Sequence, residues 1–222
     1  MRPWALTLYT RPSDYKRIMK TVISSWLLFR LLFRPTEAFE ELSETRPEPH
    51  SVFFKYVLWL AIIPPIFAYI GASNFGWRIG AAEPLFVPAG DLVVISMAYF
   101  FALLFVYVST AIVAQWMAAT YGARHSLGIH FALVTIIAAP LVVGSTMHLF
   151  PSIFLNVLVF IPTVMWSMYL LYKGLPIVLR IDPERGMLMA SALIGYLLVA
   201  AVSFLGLTVA LLGRGIGPSI GV

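Results

Sequence analysis

At 222 residues, 60% of them hydrophobic and 11% charged, with a mean hydropathy of +0.90, the chain falls outside the range of soluble globular domains and reads as an integral membrane protein. The absence of cysteine excludes disulfides, thiolate metal sites and a cysteine nucleophile. The net charge of +5 does not point to nucleic acid, because basic residues in a membrane chain set topology and meet anionic headgroups.

Residues 1–20 are polar, mixed in charge and without helical periodicity, so they read as a disordered extension, or as sequence upstream of a start at Met19. Residues 21–51 form a cytoplasmic interfacial segment. Its first part, TVISSWLLFRLLF from Thr21 to Phe33, is apolar but too short to span and is interrupted by Arg30. It is expected to lie in the interface, with Lys20, Arg30 and Arg34 reaching headgroups and Trp26, Phe29 and Phe33 turned toward acyl chains. No small-residue cleavage site follows, which argues against a signal peptide. Pro35-Thr36-Glu37 then starts a short acidic helix, since proline suits a first turn and a carboxylate complements the positive helix end. Ala38, Phe39 and Leu42 share one face of that helix, with Glu37, Glu40, Glu41 and Glu44 elsewhere. The helix is expected to dock beside the membrane, and ETRPEPHS leads on into the membrane domain, residues 52–222.

Charge-free blocks mark the spans, because about 20 apolar residues at 1.5 Å each cross a hydrocarbon layer of about 30 Å. The first span is expected near Val52 to Ser73 and the second near Val93 to Thr120. The uncharged run from His125 to Tyr172 is about twice the length one helix needs. It must fold back, and the break falls at His148-Leu149-Phe150-Pro151-Ser152, where proline suits the start of a new helix and pushes the residue before it toward extended geometry. Gly186 to Gly213 makes a fifth span. The expected fold class is therefore all-α: a polytopic five-helix membrane bundle behind an N-terminal helical segment. Lys and Arg number nine through Lys55, one at Arg124 and three from Lys173 to Arg185, against Arg78 and Arg214 on the other side. That bias places the N-terminus in the cytoplasm and, with an odd number of spans, the C-terminus outside.

Nothing in the chain matches HExxH, GxSxG, a P-loop or GxGxxG, and no uncharged block carries a carboxylate near its centre. The reading is a non-enzyme with no catalytic residue, no metal site and no cofactor. His130, about one turn into the third span, is expected to hydrogen-bond a neighbouring helix rather than bind metal. Pro64, Pro65, Pro140 and Pro162 are candidate midplane helix breaks; freed carbonyls there could face a substrate, although neighbours commonly satisfy them. Asn156 and Gln115 read as interhelical donors. Thr110, Ala114 and Ala118 make a small-residue stripe that suits close packing within the bundle or contact with a second copy of the chain.

The stretch YLLYKGLPIVLRIDPERG, residues 169–186, joins the last two spans. Gly174 is expected to release the fourth helix and Pro176 to restart the chain, laying Leu175, Ile177, Val178, Leu179 and Ile181 along the inner surface. Lys173, Arg180 and Arg185 then stand within reach of anionic lipid headgroups.

Those residues also carry a resemblance. Y-L-L-Y-x-G-L-P followed by I-D-P-E-R-G resembles the signature of the bacterial inner-membrane, YohC-like branch of the Yip (Ypt/Rab-interacting protein) family. PPIFAYIGASNFGWRIG at 64–80, AAPLVVGSTMHLFP at 138–151 and RPTEAFEEL at 34–42 follow the same pattern in register. The similarity runs from about Ser24 to the end of the fifth span. Lys173 departs from it, standing where the pattern carries an apolar residue. The resemblance implies five spans and a cytoplasmic N-terminus. It also implies a kinship with eukaryotic proteins associated with Rab GTPases and vesicle traffic, but no biochemical activity for the bacterial branch. The sequence thus supports a non-enzymatic protein that recruits or organises partner proteins or lipids at the cytoplasmic face of the inner membrane. A small transporter or lipid-handling protein with a midplane site is the alternative, and a cavity is what would distinguish it.

Overall fold

The computed structural model describes residues 34–78 and 83–214. The interfacial segment with Arg30, the expected extension 1–20 and the final eight residues lie outside the described residues. Among the described residues the chain is helical apart from loops and two isolated β-bridges. Five helices are long and apolar enough to cross a membrane.

A short helix α1, Pro35–Ser43, precedes the bundle. The first span α2 opens as an α-helix at Pro49–Val52, widens into a π-turn at Phe53–Val57 and continues as α-helix over Leu58–Phe75. Helix α3 is Ala89–Thr120, and α4 is Leu127–Gly144 with a 3-10 turn at Ser145–Leu149. Helix α5 is Ile153–Leu179 and α6 is Pro183–Leu212. Proline occupies the first turn of α1, α2 and α6, where its missing N–H would have had no partner. At 32 residues α3 is about 48 Å long, more than a hydrocarbon layer of about 30 Å, so it tilts or projects. The fold-back expected at residues 148–152 is present, with Phe150 ending the 3-10 turn and Ser152 preceding α5.

Helix α2 packs on α3 and on the 3-10 turn, α3 on α4, and α4 on α5. Helix α6 lies against both α3 and α5. The stripe Thr110, Ala114 and Ala118 is buried inside this arrangement, so the close approach it permits is used within the chain. One end of the bundle gathers α1, the 121–126 loop and the 180–182 turn: the His125 ring contacts the Leu179 carbonyl oxygen at 3.0 Å, and Gln115 donates to the His125 carbonyl at 3.2 Å. The other end is tied by backbone bonds from Trp77 to Leu85 at 2.8 Å and from Arg78 to Pro151 at 2.9 Å.

Two expectations need correction. Helix α5 does not stop at Gly174; it runs through Pro176 to Leu179 and ends on Arg180, the only described non-glycine residue in the left-handed region, at φ 52°. Gly174 is buried beneath Phe39, and a β-carbon there would lie 2.7 Å from two ring carbons, so the glycine admits an aromatic ring instead of ending a helix. Leu175, Val178 and Leu179 are accordingly buried in the protein core and do not lie along headgroups. The connection between the spans shrinks to Arg180–Asp182. The four intramembrane prolines likewise leave their helices continuous: Pro64 and Pro65 lie inside α2, Pro140 inside α4 and Pro162 inside α5.

Candidate functional site

Two places collect the polar chemistry. The first is the end of the bundle carrying α1. Ala38 and Phe39 are 0% exposed and Leu42 is 2%, so the apolar face legible in the sequence is fully spent on docking against α5. That leaves Glu40, Glu44 and Glu48 exposed to water. Arg180, at the left-handed turn, reaches back to pair with the Glu44 carboxylate and donates to Ser43 Oγ at 3.4 Å. Glu37, Glu40, Glu41 and Glu44 with Ile177 and Arg180 line a shallow polar depression. Arg34 is exposed and pairs with Glu37 at 3.4 Å. Lys173 donates to the Tyr169 hydroxyl at 3.1 Å and stands 5.5 Å from the centre of that ring. Pro176 is seated on the last span at Gly186, and Arg185 is exposed beside it. The structure thus joins Gly174 to α1 and Arg180 to the residues at its end, and Pro176 to the last span, a grouping invisible when 173–186 is read alone.

The second place is a cavity of about 620 Å³ among α3, α4, α5 and α6, with Pro64 of α2 at its wall. No Asp, Glu, Lys or Arg lines it. Its one polar end is formed by Tyr99, His148 and Asn156. Asn156 Nδ2 donates to the Ser152 carbonyl at 2.9 Å and the Phe150 carbonyl at 3.1 Å, which leaves Oδ1 to accept from His148 Nδ1 at 2.5 Å. That fixes the proton on Nδ1, and the Tyr99 hydroxyl, 3.4 Å away, donates to the bare Nε2. Asn156 was legible as a donor; the role of His148 was not, because its partners Tyr99 and Asn156 come from two other segments.

His130 differs from what its position in the sequence suggests. It is 0% exposed, and neither ring nitrogen has a hydrogen-bond partner among the described residues. Burying an unpartnered polar group typically costs about 1–3 kcal/mol. His130→Leu is therefore expected to raise stability by about 1–3 kcal/mol, seen as a higher thermal midpoint in detergent. A lower midpoint would show that the imidazole has a partner. No group of three or more His, Asp or Glu side chains placed to hold a metal ion occurs among the described residues.

Five apolar spans, a water-facing helix docked on the fourth of them and an uncharged interior cavity define a multi-pass helical membrane protein of the five-span type. The chain belongs to the Yip1 domain family, which it matches over residues 29–204. It is 28% identical over 190 residues to "Inner membrane protein YohC" of Escherichia coli strain K12, covering 86% of this chain and 96% of that protein. The same identity and coverage hold for the YohC protein of Escherichia coli O6:H1 strain CFT073. No solved structure matches the chain.

Proposed function

We propose that the protein is a non-enzymatic inner-membrane organiser that recruits basic partner proteins to the cytoplasmic face through α1. The observation that carries this reading is the division of α1: every apolar side chain it has is buried against the bundle, while Glu40 and Glu44 are held out in water at a fixed place. A helix that merely anchored to lipid would turn its apolar face to the bilayer and surround it with cations. An acidic face next to a membrane repels anionic headgroups and favours Lys- and Arg-rich protein surfaces. The inner-membrane placement follows the printed name of the Escherichia coli relatives. The cytoplasmic placement of α1 is supported by the basic residues: Arg34, Arg46, Lys55, Arg124, Lys173, Arg180 and Arg185 belong to the α1 end and only Arg78 and Arg214 to the other among the described residues. At that same end Arg34 and Arg185 are exposed, which suits contact with anionic headgroups.

A photocrosslinking residue placed at Glu40 in native membranes tests this reading. An adduct of one defined mass is expected, present with the crosslinker at Glu40 and absent with it at lipid-facing Val202. Adding Glu44→Lys should abolish the adduct. Absence of any adduct, or one indifferent to charge reversal, removes the recruiting role. A second reading, a small lipid-handling protein, is favoured by a separate observation, the cavity between the second and fifth spans.

A further inference from the structure

We propose that this cavity binds an uncharged, chain-like lipid carrying a carbonyl or hydroxyl oxygen at mid-depth, admitted sideways from the bilayer between α5 and α6. The proposal rests on the lipid-handling reading and gives it a ligand class.

A volume of about 620 Å³ is in the range of small-molecule sites, about 300–1,000 Å³. Its wall follows α5 from Asn156 to Leu175, about 28 Å at 1.5 Å per residue, so the space is long in the direction of the bilayer normal. With no charged side chain in the wall, an ionic group inside would stay unpaired in an apolar medium, which excludes an ionic ligand portion.

The decisive residues are Thr110 on α3 and Ser167 on α5. Each lines the cavity, each is only 6% exposed, and neither hydroxyl has a hydrogen-bond partner. Hydroxyls in membrane helices ordinarily bond back to a carbonyl one turn earlier. Ser109, Thr120, Thr135, Thr163, Ser191 and Thr208 all do so here. Thr110 and Ser167 are turned away from that default. They also share a level. Helices α3 and α5 run in the same direction; Tyr99 and Asn156 are joined at one level through His148, and Thr110 and Ser167 each lie 11 residues further on. Eleven residues are about 16 Å, near the middle of a hydrocarbon layer about 30 Å thick. Two residues of one cavity wall, at one depth, thus carry unsatisfied donors, and a ligand oxygen that draws both hydroxyls toward it would satisfy them, whereas an ordinary acyl chain has none there.

The entrance follows from α6. Its buried residues, Gly186, Met189, Ala190 and Leu193, all fall in its first half. Further along it is held to α3 by the edge-on contact of Phe204 with Phe105, at 5.6 Å between ring centres. On the α5 side the wall residues Phe160, Met168 and Leu198 are exposed, which makes them the rim of a mouth that faces lipid.

The test uses the full chain in vesicles of phosphatidylethanolamine and phosphatidylglycerol. One arm adds diacylglycerol with a diazirine on its acyl chain; the other adds phosphatidylglycerol with the same chain. Neutral-probe labelling of Val164 and Leu197 is expected, with the anionic probe weaker, and the Thr110→Val/Ser167→Ala double variant should lose about tenfold in labelling. The double variant should unfold in lipid-free detergent at an equal or higher temperature than the parent, because it lacks the unpartnered hydroxyls. A lower temperature would assign the hydroxyls to an ordered water only and overturn the proposal. Labelling by neither probe sinks the lipid-handling reading itself. Equal labelling by both, or labelling unchanged in the double variant, overturns the neutral, oxygen-bearing ligand while leaving lipid binding in place.

Discussion

Phe39→Ala is expected to free α1 from the bundle, at a cost of about 3–5 kcal/mol for a fully buried phenylalanine. The ring is 0% exposed and lies over the only β-carbon-free position on that part of α5, Gly174. Helix α1 spans nine residues, too few to be stable by itself in water, so its helicity depends on this contact and on Leu42. Amide exchange of residues 36–43 should therefore rise toward unprotected rates while the spans keep theirs. Gly174→Ala should do the same from the other side, since its β-carbon would meet the Phe39 ring at 2.7 Å. A methyl group and a ring competing for one space should also be non-additive: Gly174→Ala combined with Phe39→Leu is expected to cost less than the two separately. Unchanged exchange in Phe39→Ala would show that α1 is held by something other than its apolar face.

Gly71→Ala should have the second large effect, at the opposite end. A β-carbon at Gly71 would fall onto the His148 carbonyl oxygen, with the carbonyl carbons of His148 and Leu149 also at 3.0 Å. These are backbone atoms, so no rotamer change relieves the overlap. The first span and the 3-10 turn have to separate, at a cost of about 3 kcal/mol, the upper end for overpacking. Because the turn carries His148, the separation also pulls the imidazole from Asn156 and Tyr99. Thermal unfolding in detergent together with amide exchange over residues 145–150 checks this. A variant with parental stability and intact protection at the turn would show that the approach of Gly71 to His148 is looser than described.

What could be read in advance divides along physical lines. Spans and the turn at Pro151 were legible because hydrocarbon length and proline chemistry act locally. The Ala38, Phe39 and Leu42 face was legible because helical periodicity alone determines it. The extent of α5 was not, because Gly174 and Pro176 carry the local signals of a helix end, and only a ring from 135 residues earlier shows why the glycine is there. The cavity escaped for a similar reason. Thr110 read as one member of a small-residue stripe, and its stripe neighbours do pack, but the orientation of one hydroxyl is a property of four helices together. The intramembrane prolines drew attention to the right region: Pro64 borders the cavity, whose wall also holds Thr110 and Ser167 with their unpartnered hydroxyls.

Arg180 holds a backbone shape that costs any residue with a β-carbon about 1 kcal/mol or more. Glycine would be easier there, but glycine could not grip Glu44 and Ser43. The turn is thus a latch between the acidic helix and the last span. Because both partners are exposed, the pair adds little to stability, and its consequence is positional: it sets the direction in which the one cation of the turn points.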